Sequence, residues 1–266
     1  MPELDLSLLL YGMIVGLWAG AVAGMLAGLA GVGGGLIYMP VFYALMPGQE
    51  GQGIAVHVFA SLVAVIITGV FSSRAHYRLG HIDRPAAQQL LPGLILGAGL
   101  GLWWTLRLPE AWVLLALAGL DAWIAFDYGR KPRGSSFTNH ALIWSSGPVG
   151  LISGSLGIGG GTMLVPLLRR FVALRFAVGT SALCGLIMAL GAVAMNILLE
   201  RHWYALLGAS LPFLLGAWIG IAMIMPASSA WSARLHSLLP EAVLRMTLKI
   251  IFATLAAALL IAANII

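Results

Sequence analysis

The sequence predicts an all-α polytopic membrane protein of two inverted five-segment repeats, each with one Gly-interrupted discontinuous crossing: about ten membrane segments, both termini outside. Three observations lead there. Of 266 residues, 61% are hydrophobic and 9% charged, and mean hydropathy is +0.99, whereas soluble domains carry roughly 25% charged residues. Gly31-Val32-Gly33-Gly34-Gly35, followed by Pro40, recurs as Gly157-Ile158-Gly159-Gly160-Gly161, followed by Pro166, both features displaced by 126 positions. The cations of a chain with net charge +5 gather in a few loops, so orientation can be read from them.

The composition excludes a soluble, disordered or nucleic-acid-binding protein, each of which needs far more charge. The lipid bilayer is the expected partner, nucleic acid is not, and the sequence specifies no oligomeric state. Met1-Pro2-Glu3-Leu4-Asp5 carries two acids and no cation before the first apolar run, unlike a cleaved signal peptide, so that run is expected to stay as a span. The lone cysteine, Cys184, lies in an apolar run and reads as a small core residue. Lys131 precedes proline and Lys249 precedes isoleucine, so no phosphate-binding loop of the GxxxxGK[ST] type is present.

Apolar segments long enough to span run from Ser7 to Ala30, Ile54 to Ser73, Pro85 to Leu106, Pro109 to Phe126, His140 to Leu156, Phe176 to Leu199, Trp203 to Met225 and Ala242 to Ile266, eight in all. The glycine runs with short apolar tails, Leu36 to Met46 and Thr162 to Leu168, lie between the first and second and between the fifth and sixth. Residues 227 to 239, with Trp231, Arg234 and His236, read as a short interfacial helix.

Charge decides whether the glycine stretches cross or turn back. Arg74, Arg78 and Arg84 put the loop after the second span inside, and Arg130, Lys131 and Arg133 do the same after the fourth. Arg169, Arg170 and Arg175 also fall inside only if the second stretch crosses. Glu3, Asp5 and Glu50 then lie outside, and the outer cations Arg107 and Arg201 each have a nearby acid, Glu110 or Glu200. An extended glycine run plus a short helical tail covers roughly 30 Å, the hydrocarbon thickness. Each half then has an odd number of crossings, so the halves are expected to be inverted: 1–128 and 140–266, joined by a cytoplasmic linker, 129–139. At a displacement of 120, Ser61 falls on Ser181 and Pro92 on Pro212.

Four glycines and a proline break a helix, and in lipid the freed backbone must face protein or a wet cavity. Half-helices starting at Gly33, Gly34 and Gly35, and at Gly159, Gly160 and Gly161, would aim bare amides and positive dipole ends at the midplane, a receptor for an anion. Gly20, Gly24, Gly28, Gly150 and Gly154 have the spacing of close helix packing instead. Ser61, Thr180 and Ser181 follow the breaks and either donate to an oxyanion or bond back to their own helix. His57 lies one turn before Ser61 and is either a proton or substrate contact or a solvated interfacial group. Asp121, an intramembrane acid, is a coupling candidate unless it pairs with Arg74 or the Arg130 cluster. Asn196 reads as interhelical glue. No metal site is expected, since His76 and His81 are five apart and there is no cysteine pair.

At these residues the chain resembles the TauE/SafE family of sulfite and organosulfonate exporters. The resemblance rests on the twin Gly-x-Gly-Gly-Gly-x4-Pro stretches, Ala177-Val178-Gly179-Thr180-Ser181, and Ala75-His76-Tyr77-Arg78-Leu79-Gly80-His81-Ile82-Asp83. Phe59-Ala60-Ser61-Leu62 departs from the family's Ala-Thr-Ser-Leu by one hydroxyl. The resemblance implies export of a small sulfur anion, sulfite or a sulfonate such as sulfoacetate, across a bacterial inner membrane.

The expected activity is therefore secondary transport without an organic cofactor. An anion channel is the alternative. An intramembrane enzyme would need Ser155 or Ser181 beside a histidine, and neither has one nearby in sequence.

Overall fold

Residues 5–30, 34–47, 54–128, 139–169, 171–199, 207–238 and 241–265 are described in a computed structural model, and among them there is no strand. Ten α-helices follow in order: α1 Leu6–Ala30, α2 Gly35–Leu45, α3 Ala55–Arg78, α4 Arg84–Thr105, α5 Glu110–Tyr128, α6 Asn139–Leu156, α7 Gly161–Leu168, α8 Leu174–Leu199, α9 Leu211–Leu238 and α10 Glu241–Ile265. Five described stretches are long and apolar enough to cross a membrane: Leu6–Ala27, Ala55–Arg78, Arg84–Thr105, Arg175–Leu198 and Leu211–Ser232. Helices α5, α6 and α10 form where three more spans were expected.

Helix starts follow local chemistry. Asp5 accepts from the Ser7 and Leu8 amides at the start of α1, and its carboxyl is held below its ordinary pKa first by the Ser7 hydroxyl. Asp83 caps α4 by accepting from the Ala86 amide, with Pro85 in the first turn where no N–H is needed. The glycine breaks are of another kind. Gly157 and Gly159 both have φ of +67°, the left-handed region that ends a helix and favours glycine. The chain re-enters helix at Gly161 after the N-cap Gly160, as it does at Gly35 after Gly34.

The remaining glycines set which helices touch. In α1, a Cβ on Gly12 or Gly16 would overlap the backbone of Phe213 or Ala217 in α9, and Gly20 and Gly24 face Ile221 and Ser228. The numbers rise together, so α1 and α9 run parallel at backbone contact. Helices α4 and α6 form a matching parallel pair: Gly93 meets Ser146, Gly97 meets Gly147 and Gly101 meets Leu151. With no hydrophobic drive between helices in lipid, such close approach is what holds them together.

Each pairing has a counterpart under exchange of α1–α5 for α6–α10: α1 with α9 and α6 with α4, α2 with α3 and α7 with α8, α3 with α9 and α8 with α4. Helices α3 and α8 pair with each other, as do α5 and α10. Gly69 of α3 meets Leu186, while His81, beyond the end of α3, meets Gly179 near the start of α8, so α3 and α8 run antiparallel. Helix α8 is parallel to α4, with Gly191 on Ile95 and Gly99 on Met195.

These directions fix the route through each break. Thr105 at the end of α4 donates to the Ser155 carbonyl at the end of α6, whereas Thr180 at the start of α8 accepts from the Asp83 amide at the start of α4. Residues 157–173 thus carry the chain back along α4, a helix about 33 Å long. In the other half, Ser210 donates to the Pro47 carbonyl while Phe213 lies on Gly12, so Pro47 lies at the level at which α1 starts.

One element departs from expectation. No separate interfacial helix forms over 227–238, because α9 continues through Pro226 to Leu238. The extension keeps packing on α1, where Ser228 lies against Gly24 and Ser232 donates to the Gly24 carbonyl. Those contacts offset the hydrogen bond that proline removes.

Gly16→Ala is expected to destabilise the protein in detergent by about 1–3 kcal/mol through overpacking. Gly119→Ala, with nothing within 4 Å of the new Cβ, is expected to leave it unchanged. Thermal unfolding of the two variants side by side checks this.

Candidate functional site

The two glycine breaks meet. A side chain on Gly35 would overlap the Ile158 backbone, so the first break crosses the second at main-chain contact. Ser61 fastens the crossing: its hydroxyl donates to the Gly157 carbonyl at 2.6 Å, with the Gly35 carbonyl at 3.4 Å. Gly34 packs on the Tyr38 ring and Ala23. Gly33 lies outside the described residues, as do Arg130, Lys131, Arg133, Arg170 and Arg201 among the topological cations.

One to three turns along α3 from Ser61 is a small cavity of about 20 Å³, room for about one water, so a larger guest needs the helices around it to move apart. Helix α3 lines it with Val65, Thr68, Gly69 and Ser72, α8 with Ser181, Ala182, Gly185 and Leu186, and the second break with Gly159 and Gly161; Ala27 of α1 closes one side. None of its described lining residues is charged.

Its electrostatics come from the backbone. A Cβ on Gly185 would lie 3.5 Å from the Gly160 amide nitrogen and 3.6 Å from that of Gly161. The absent side chain of Gly185 therefore opens space directly beside the first-turn amides of α7. Such amides have no intrahelical acceptor and lie at the positive end of the helix dipole.

The hydroxyls around the cavity have defined directions. Thr68 donates to its own Ala64 carbonyl at 2.9 Å, so the 2.7 Å contact with Tyr38 has the phenol as donor. Tyr38 in α2 is fully buried and holds the cavity wall from behind. Ser181 donates to the Val178 carbonyl at 2.9 Å. Hydroxyls rotate readily, so Ser181 and Ser72 can turn toward a guest without moving backbone.

Several expected site residues lie elsewhere. Gly159, Gly161 and Ser181 line the cavity and Gly160 borders it through its amide. Thr180 points the other way and anchors the α3–α4 loop through Asp83. His57 is buried against the edge of Tyr43, ring centroids 5.4 Å apart, and among the described residues neither ring nitrogen meets a partner at hydrogen-bond geometry; it lies eight residues, about 12 Å, before Val65 on α3. It is not solvated.

Asp121 is 0% exposed within α5, and neither carboxylate oxygen has a hydrogen-bond partner among the described residues. Asn196 donates to the Gly99 and Ala192 carbonyls, joining α8 to α4. Thr68, Ser72 and Gly185 are cavity residues that sequence reading missed. The signal was a polar face, Thr68 and Ser72 one turn apart, and a glycine one turn after Ser181.

Ser61→Ala is expected to leave the buried Gly157 carbonyl without its donor and to cost about 1–3 kcal/mol in thermal unfolding. Ser155→Ala, which removes only bonds back to Leu151 and Ile152 of its own helix, is expected to be close to neutral.

The profile of the family described as "Sulfite exporter TauE/SafE" matches residues 16–263. A Haemophilus influenzae protein named "Probable membrane transporter protein" is 31% identical over 196 residues, 70% of this chain and 74% of that relative. No solved structure matches. With nearly its whole length inside the family profile, this helical chain belongs to the TauE/SafE sulfite exporter family of membrane transporters.

Proposed function

We propose that the chain is a secondary transporter that exports a small sulfur-containing anion, sulfite or an organosulfonate such as sulfoacetate, across a bacterial inner membrane by alternating access. The observation that carries this reading is the uncharged cavity between α3 and α8, bordered by the Gly160 and Gly161 amides. Neutral donors hold an anion without a buried counter-charge, so it can leave again.

The transporter has two inverted halves, residues 1–128 and 140–266, with the linker in the cytoplasm and both termini outside. The antiparallel run of α3 and α8, counterparts under the exchange of pairings, supports this arrangement. So do Arg74, Arg78, Arg84, Arg169 and Arg175, which the helix directions bring to one end of the bundle. The two breaks cross at the bundle's interior and rock against each other as each half moves.

Asp121 carries the coupling proton. It is an acid buried within α5 whose carboxylate oxygens have no hydrogen-bond partner among the described residues, and proton loading and release there would tie proton movement to transport. An anion channel is the second reading, and accumulation against a gradient separates the two.

In proteoliposomes the wild-type chain is expected to concentrate sulfite against its gradient when a pH gradient is imposed; flux that only equilibrates favours the channel. Gly160→Leu is expected to abolish flux while the protein still inserts, and normal flux rejects the site. Asp121→Asn is expected to keep sulfite–sulfite exchange but lose pH-driven accumulation. Unchanged accumulation removes Asp121 from coupling.

A further inference from the structure

The cavity is sealed very differently at its two ends. Toward Ser61, the crossed backbones of Gly35 and Ile158 close it, a barrier of main chain stapled by a hydroxyl. Toward the basic end of α3, Leu186 is the described residue that lines both the inner cavity and a second, more open space of about 370 Å³ between α3 and α8.

That outer space is lined by Ser73, Arg74, Tyr77, Ile82 and Leu183, with no carboxylate among its described lining residues. Arg84 adds a second cation at its rim: its guanidinium donates to the Tyr77 hydroxyl at 3.2 Å and lies 5.7 Å from the ring centre. Arg74 and Tyr77 are exposed.

We propose that this groove is a loading site for a small oxyanion, and that Leu186, seated on Gly69, is the gate between it and the inner cavity. The proposal rests on the transport reading above for the identity of its guest, but the gate itself is a statement about a water path. Gly69 supplies the seat: a Cβ there would meet the Leu186 Cβ at 2.9 Å, so only glycine lets the leucine lie against α3.

The chemistry of the two compartments is graded. In the outer groove, the Arg74 guanidinium offers charge-assisted hydrogen bonds and draws an anion out of bulk solution. In the inner cavity, amides and hydroxyls replace that charge. A shift of the Leu186 side chain off Gly69 opens the passage without unfastening the crossed breaks, so the basic end opens more readily than the other.

The test reads access to Val65, one turn from Gly69 on the Ser61 side and part of the inner cavity lining. In a Cys184→Ala background carrying Val65→Cys, labelling by an anionic, membrane-impermeant methanethiosulfonate is expected to be slow with Leu186 intact. Leu186→Ala is expected to speed it at least about tenfold, and the volume-conserving Leu186→Met to leave it slow. Equal rates in all three overturn the gate. Should Leu186→Ala not survive purification, Leu186→Val takes its place, with an intermediate rate expected and an unchanged one fatal.

Arg74→Gln, with Leu186 intact, is expected to raise the sulfite concentration needed for half-maximal flux and to flatten its dependence on salt. An unchanged half-saturation and salt dependence overturns the loading site. Fast labelling in Leu186→Ala, alongside a wild type that moves no sulfite, leaves the gate standing and rejects the transport reading instead.

Discussion

The main-chain contact between Gly35 and Ile158 is the constraint on which the rest of the structure depends. A backbone interrupted inside lipid leaves amides and carbonyls that hydrocarbon cannot satisfy. Here the second interruption is answered by the first half of the chain. Ser61, which follows the first break, donates to Gly157 in the second, and Tyr38, in the half-helix after the first, donates to the wall of the cavity beside the second. Only glycine at position 35 allows such an approach, and a larger residue there would drive the two breaks apart.

Around this crossing the helices divide their work. The α1–α9 and α4–α6 pairs are glycine-lined, parallel and locked at backbone distance, which makes each of them a rigid arm. Each arm joins the first helix of one half to the fourth of the other. Helices α3 and α8 are packed less tightly to each other, and both pockets described above lie along their interface. Rigid arms flanking a looser central pair suit a protein that must move as bodies rather than deform.

The sequence made the helices and the breaks readable, for reasons local to each segment. Glycine runs interrupt helix wherever they occur, and span boundaries follow apolar length, so α2 and α7 start within a residue of expectation. The packing glycines were also legible: Gly20, Gly24, Gly150 and Gly154 do face partner helices. What the sequence did not carry was which half answers which break. Ser61 and Ser181 occupy matching positions, yet one staples a carbonyl of the opposite break and the other lines the cavity. Thr68, Ser72 and Gly185 became site residues through the antiparallel register of α3 on α8, a long-range relation with no local mark. Pro226 misled because its cost in a helix is local, while the contacts with α1 that offset it are not.

The account stands on an oxyanion being received beside the Gly160 and Gly161 amides. The most direct measurement is the anomalous difference map from crystals of the full chain soaked in selenite, a heavier analogue of sulfite. A selenium peak within hydrogen-bond reach of those two amides, between α3 and α8, is the predicted result. A peak only at surface arginines, with the inner cavity empty at saturating selenite, would contradict it.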